Sequence, residues 1–170
     1  MDQLSNVELL SIRARVAYCL YLAESILVEV KHSKDGYFKA KAGLDKCWDW
    51  LSGELSIPCE DICHLLANED DTGLNIYSSL AGDREIEYSA WGVIIYAVAY
   101  TAYQAFNYEK QALPSIIESI DEDTIVDIFE YLQKIPVFDN KYALTIKNTL
   151  IGKFPCDLTN EFGVYIDKNK

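Results

Sequence analysis

The chain reads as all-α, a single compact domain of about seven helices packed around a central apolar helix. Three observations predict this. Apolar residues recur at three- and four-residue spacing from end to end, and no run of five or more residues alternates as a half-buried strand does. Gly and Pro fall between the periodic segments, at Gly53, Pro58, Gly82, Pro114 and Pro136. The stretch Ala90 to Phe106 is apolar on nearly every side, the pattern of a helix wrapped by others. At 170 residues the chain is one domain by length. A domain of that size buries roughly 70% of the surface its unfolded chain exposes.

The elements follow in order. Ser5 with Glu8 three positions on has the form of a capping box, and Val7, Leu10, Ala14, Cys19, Leu20, Ala23, Leu27 and Val30 continue one apolar stripe, so a long first helix is expected up to Lys31. Lys34-Asp35-Gly36 is expected to break the chain. A second helix from about Tyr37 to Leu51 puts Leu44, Cys47, Trp48 and Leu51 on one side, and Gly53 ends it. Pro58 sits where a first helical residue belongs, and Glu60 and Asp61 suit the first turn of a short third helix running to about Asn68. Asp71-Thr72-Gly73 makes a turn, and Leu74 to Ala81 a short fourth helix. The fifth helix runs from about Glu85 to Glu109. Ser119 and Asp121 are candidate caps for a sixth that reaches about Lys134, and a seventh covers about Lys141 to Ile151. Pro155 to Lys170 has weak periodicity and is expected as a docked or frayed tail.

Charge is the unusual quantity. Fifteen Lys+Arg against 27 Asp+Glu give a formal net charge of −12. That field repels phosphate backbones and anionic membranes, so direct nucleic-acid or membrane partners are not expected. Five cysteines, mostly within apolar helical patterns, suit buried free thiols in a reducing compartment, and the N-terminal residues lack the basic-then-apolar pattern of a secretory signal. A cytoplasmic location is expected.

Four constellations carry the chemistry worth weighing. The acidic knot Glu69, Asp70, Asp71 resembles a calcium loop with Asn68, Asp70 and Thr72 at positions one, three and five and Gly73 at six. That register puts Ser79 at position twelve, where a bidentate Glu is needed, so a solvated or partner-facing turn is the better reading. Cys59 and Cys63 with His64 have the wrong spacing for haem attachment and no evident second ligand pair for zinc, so no metal is expected there. On the sixth helix Asp123, Asp127 and Glu130 fall opposite the apolar stripe of Ile125, Ile128, Phe129 and Leu132, either a solvated face or a ladder that meets a partner. On the fifth, Tyr96, Tyr100 and Tyr103 share a side, either core with hydroxyls at the rim or an interface anchor. No Gly-rich phosphate loop, nucleophile elbow or HExxH motif is present, and two histidines leave little for general acid-base work.

Several blocks together resemble the sixth numbered family of bacterial immunity proteins described beside polymorphic toxins. They are LDKCWDWL (Leu44 to Leu51), LANEDDTGLNIYSSLA (Leu66 to Ala81), AWGVIIYAVAYTAYQA (Ala90 to Ala105) and LPSIIESIDED (Leu113 to Asp123), spread over most of Ser5 to Leu150. The resemblance implies a non-catalytic cytoplasmic protein, free of cofactors, that binds the C-terminal domain of a cognate toxin, many such toxins being nucleases. The expected contact residues are then Glu69, Asp70, Asp71, Asp123, Asp127 and Glu130 as charged rim, with Tyr96, Tyr100 and Tyr103 as anchors. Two readings of other classes stand beside it: a metal-dependent nucleotide hydrolase with carboxylates on the second, third and sixth helices, and a regulatory or scaffolding domain whose acidity serves solubility.

Overall fold

The computed structural model describes residues 3–70 and 72–169, so Asp71 of the acidic knot lies outside the described residues. Seven α-helices are found among them: α1 (Ile12–Ser25), α2 (Lys34–Ser52), α3 (Cys59–Cys63), α4 (Asn75–Ala81), α5 (Glu85–Glu109), α6 (Thr124–Leu132) and α7 (Asn140–Lys153). Short 3-10 turns flank them at Val7–Leu9, Leu27–Val30 and Ser115–Ile117. No described residue belongs to a strand, and the all-helical expectation holds.

α5 is the central helix. It packs against α1, α2, α3, α4 and α6, while α7 lies on α1. Ala90, Ala97, Ala102 and Ala105 are fully buried, and small side chains let neighbouring helices approach its axis closely. The apolar interior is one continuous cluster that takes in residues from every helix.

The long first helix is corrected. Asn6 adopts a left-handed conformation (φ 64°) and carries no capping side chain, so the Ser5–Glu8 box does not form. The helix instead starts at Ile12, where the Ser11 hydroxyl accepts from the Ala14 N–H (3.3 Å). The cause lies at the far end of the chain. Leu10 is extended and bridges Pro155, the Ser11 N–H donates to the Phe154 carbonyl (3.1 Å), and the Cys156 N–H donates to the Leu9 carbonyl (2.6 Å). A long-range pairing thus replaces a local helical turn.

Lys34-Asp35-Gly36 is not a break but the first turn of α2, with the Ser33 hydroxyl accepting from the Gly36 N–H (3.1 Å). Gly36 is there for close approach. A Cβ on it would come within 2.8 Å of the Trp91 ring and 2.9 Å of Tyr77. The third helix stops at Cys63 rather than reaching Asn68, and Pro58 is its cap, not its first residue. α6 is shorter than expected because Asp121 sits outside it, its carboxylate accepting from the Asp123 N–H (2.8 Å) while its own N–H donates to the Thr124 hydroxyl (3.1 Å).

The last segment is docked. Backbone N–H groups of Ile12 and Arg13 donate to the carbonyls of Glu161 and Phe162, and the Ile166 N–H donates to the Leu51 carbonyl (2.9 Å). Arg13 holds this docking together. The residue is 4% exposed, and its guanidinium donates from Nη1 to the Gly163 carbonyl (2.8 Å) and lies 4.2 Å from the Tyr165 ring centroid and 4.7 Å from that of Tyr108, with Trp50 and Phe162 beyond. No carboxylate among the described residues pairs with it, so four π faces and a carbonyl take the place of a counter-ion.

Candidate functional site: the outer face of α6

α6 buries Ile125, Ile128, Phe129 and Leu132 against the core and turns its other side outward. Asp123 keeps helical dihedrals at the cap position, so Asp123, Asp127 and Glu130 follow at four- and three-residue steps, with neighbouring Cβ atoms roughly 5–6 Å apart. All three are exposed. Partial burial raises the Asp127 pKa above its ordinary value, and Glu130, Asp121 and Asp123 raise it further by repulsion. The ion pairs of the described residues engage Glu122, Asp35, Asp45, Asp61, Glu87 and Glu24, and none engages this acidic spine. Its charge is left unspent inside the molecule.

The spine has a different wall on each side. Toward α5, the ring of Tyr131 lies over Gly92, where an added Cβ would meet it at 2.8 Å. Glycine at this point cuts a notch in the helix, and the ring enters it between Tyr88 and Tyr96, whose centroids are 6.2 and 5.8 Å away. Tyr88 is exposed, while Tyr96 and Tyr131 are half-buried. Burial, the neighbouring phenol of Tyr88 and Asp127 push the Tyr131 hydroxyl up to about 12, so it remains a neutral donor. The Lys134 ammonium lies 5.4 Å from the Tyr131 centroid, a cation already seated on this cluster.

On the opposite side is an apolar groove of ≈ 510 Å³ floored by Leu4, Val126 and Phe129. Glu130 belongs to both the spine and the groove rim. Val126 is 42% exposed and Phe129 only 5%, so the floor is accessible chiefly through Val126. Aromatic notch, acidic spine and apolar groove therefore run side by side along one short helix.

The other expected residues fall elsewhere. Tyr100 is wholly buried, its hydroxyl donating to Glu122 (2.7 Å), which also accepts from Gln104 (2.7 Å) and Arg15 (2.9 Å). As a partner anchor Tyr100 is corrected, because no partner can reach a side chain closed over by α1 and the segment before α6. Tyr103 is half-buried and stacks on Tyr100 (6.1 Å). Glu69 and Asp70 are exposed on the turn between α3 and α4, where the Asn68 side-chain oxygen Oδ1 accepts from the N–H groups of Asp70 (3.2 Å) and Thr72 (3.0 Å). That turn is tied to α2 through Lys39, which donates to the Thr72 carbonyl, and not to α6.

Tyr88, Tyr131 and Val126 were not singled out by sequence reasoning. A signal for the notch was present: Tyr88, Gly92 and Tyr96 stand at four-residue steps, the spacing at which a mid-helix glycine between two aromatic rings admits a third.

One cluster of metal-ligating atoms occurs among the described residues. Cys59 Sγ and carboxylate oxygens of Glu60 and Glu109 lie within 4.8 Å of one another. Glu109 accepts from the Cys59 N–H (2.8 Å) and so caps α3, while burial first, then both carboxylates, push the thiol up to about 12. No helix of the described residues is long and apolar enough to cross a membrane.

The family model for Immunity protein Imm6 matches residues 14–135. The chain belongs to the Imm6 family of immunity proteins. The Imm6 match begins in α1 and ends just past α6, so it takes in the spine, the tyrosine notch and Val126, and leaves α7, Arg13 and the docked tail outside. No curated protein matches the chain, and no solved structure does.

Proposed function

We propose that this chain is a cytoplasmic, non-catalytic inhibitor that binds a toxin produced beside it, and that the outer face of α6 is its contact surface. The observation that carries the reading is a run of carboxylates without ion-pair partners among the described residues, flanked by accessible tyrosines inside the part of the chain that the Imm6 model matches, and by an apolar groove that Leu4 and Asn140 complete from outside that part. Tyrosine and apolar anchors supply affinity when they are desolvated, and the charged residues supply orientation and encounter rate. A net charge of −12 draws in a basic partner over about a Debye length, roughly 8 Å at physiological salt. A toxin with a basic substrate cleft, such as a nuclease, fits this field. Glu69 and Asp70 then add to the long-range attraction without joining the α6 contact.

The test is to measure association between the purified chain and the toxin domain encoded beside it at several salt concentrations, and to ask whether the chain protects cells from that toxin. Expected is an association rate far above the unsteered value of about 10⁵–10⁶ M⁻¹s⁻¹ at low salt, falling steeply as salt rises. Charge reversal at Asp127 and Glu130 slows association and weakens protection. A rate indifferent to salt, together with full protection by the reversed variant, overturns the assignment of this face.

A further inference from the structure

The groove beside the spine offers three kinds of contact within a few residues, and together they define the partner segment more narrowly than charge does. Its floor, Leu4, Val126 and Phe129, is apolar. One wall is the Asn140 side chain, whose oxygen accepts from both Gln3 Nε2 (3.0 Å) and Gln133 Nε2 (3.2 Å). Those two bonds fix the amide so that its Nδ2 donor has no partner among the described residues. The open end carries the Glu130 carboxylate, which makes no ion pair among the described residues and continues into Asp127. Clefts that are mostly apolar, with a few convergent polar groups, are where proteins hold ligand side chains, and ≈ 510 Å³ has room for a large apolar side chain and the start of the next.

Resting on the binding face proposed above, we infer that the groove receives an apolar side chain from a basic segment of the toxin, with a Lys or Arg close by in that segment lying on Glu130 and Asp127 and a segment carbonyl accepting from Asn140 Nδ2. The occupant is argued from charge. Glu130 on the rim, with Asp127 and Asp123 beyond it, disfavours acidic ligands and anionic headgroups and favours a cation beside the buried anchor.

The probe is a blocked amphipathic peptide of leucine and lysine, titrated into the full chain and followed by NMR, with its leucine–glutamate counterpart as control. Expected are shifts at the side-chain signals of Val126, Gln133 and Asn140 with the lysine peptide and none with the glutamate peptide. The deciding variant is Val126→Glu. It adds negative charge, so a surface that attracts by charge alone binds the lysine peptide more tightly. A groove that seats an apolar anchor binds it about tenfold more weakly, the loss expected when a buried anchor is removed. Val126 is exposed enough for the variant to fold, and Asn140→Ala gives a second, uncharged loss. The inference is overturned if V126E binds the peptide as well as or better than the unaltered chain, if the shifts lie outside the groove, or if none appear at about 1 mM peptide.

Failure of the groove and failure of the face separate in the protection assay. If V126E protects fully while the reversal at Asp127 and Glu130 does not, the groove is unused and the face stands. If both variants protect, the face itself is wrong.

Discussion

Adding one methyl group at Gly92 tests the notch directly. In α5, Gly92→Ala places a Cβ 2.8–2.9 Å from Tyr131 ring carbons, closer than real Cβ contacts come. The atoms met are in the body of the ring, so relief requires the whole side chain to leave the notch and drag on Tyr88 and Tyr96. Overpacking of this kind costs about 1–3 kcal/mol. Against it stands the helix-propensity gain of alanine over glycine, about 1 kcal/mol in a helix interior. The net is a loss of about 1 kcal/mol, which for a chain of this size lowers Tm by roughly 2–4 °C. Gly152→Ala is the matched control. Gly152 lies within α7, is exposed, and has no atom within 4 Å of an added Cβ. It keeps only the propensity gain, about 0.5–1 kcal/mol and smaller near the helix end, so Tm rises. Thermal and urea unfolding of the two variants beside the parent decide the matter. If G92A is as stable as G152A, Tyr131 does not occupy a notch that only glycine can provide.

Two further outcomes are expected. Arg13→Gln removes four cation–π contacts and a charged hydrogen bond from a buried site and costs about 2–4 kcal/mol, concentrated in the tail; limited proteolysis is expected to cut after residue 153, and a tail as protected as in the parent refutes the clamp. Asp127 has a folded-state pKa above its ordinary 3.8, so its ionised form opposes folding, and stability is lost as pH rises through the carboxylate range. Asp127→Asn is therefore expected to be more stable than the parent at pH 7, with the advantage fading on acidification to about pH 4, and to bind the toxin more slowly. Unfolding curves at both pH values check the first part, and a variant equally stable at each refutes it.

The boundaries of α5 and the end of α2 at Gly53 could be read from the residues because local signals and burial agree there. Gly53 has φ 67°, the left-handed conformation that glycine adopts freely at a helix end. Reading failed where a residue's reason lies in a distant part of the chain. Glycine signals a break by propensity, but Gly36 stands inside α2 because Trp91 and Tyr77 press on it. Local pattern predicts an early start for the first helix because the competitor, the pairing of Leu10 with Pro155, is 145 positions away in sequence. Among the site residues, the acidic spine followed from helical period alone. Tyr100 did not, because period reports direction and not depth: a helix covered on most sides buries its second stripe as well as its first.

The spine's positions are where packing asks least. Asp123, Asp127 and Glu130 touch no core residue's space, so lysine, glutamine or serine would leave Ile125, Ile128, Phe129 and Leu132 packed as they are. The helix N-terminus favours negative charge at Asp123 and Asp127, but partial burial first, and then repulsion from Glu130, Asp121 and Asp123, raise the Asp127 pKa, so that its ionised form still lowers stability slightly. Elsewhere the chain does match acids with bases, on α2 with Lys41 and Asp45, and between α1 and the segment before α6 with Arg15 and Glu122. Beside α6, Lys134 lies over the Tyr131 ring, and no ion pair among the described residues joins it to a carboxylate. A surface with no ion pair among the described residues, bordered by rings and a groove, is the kind that the proposed basic partner would neutralise on contact.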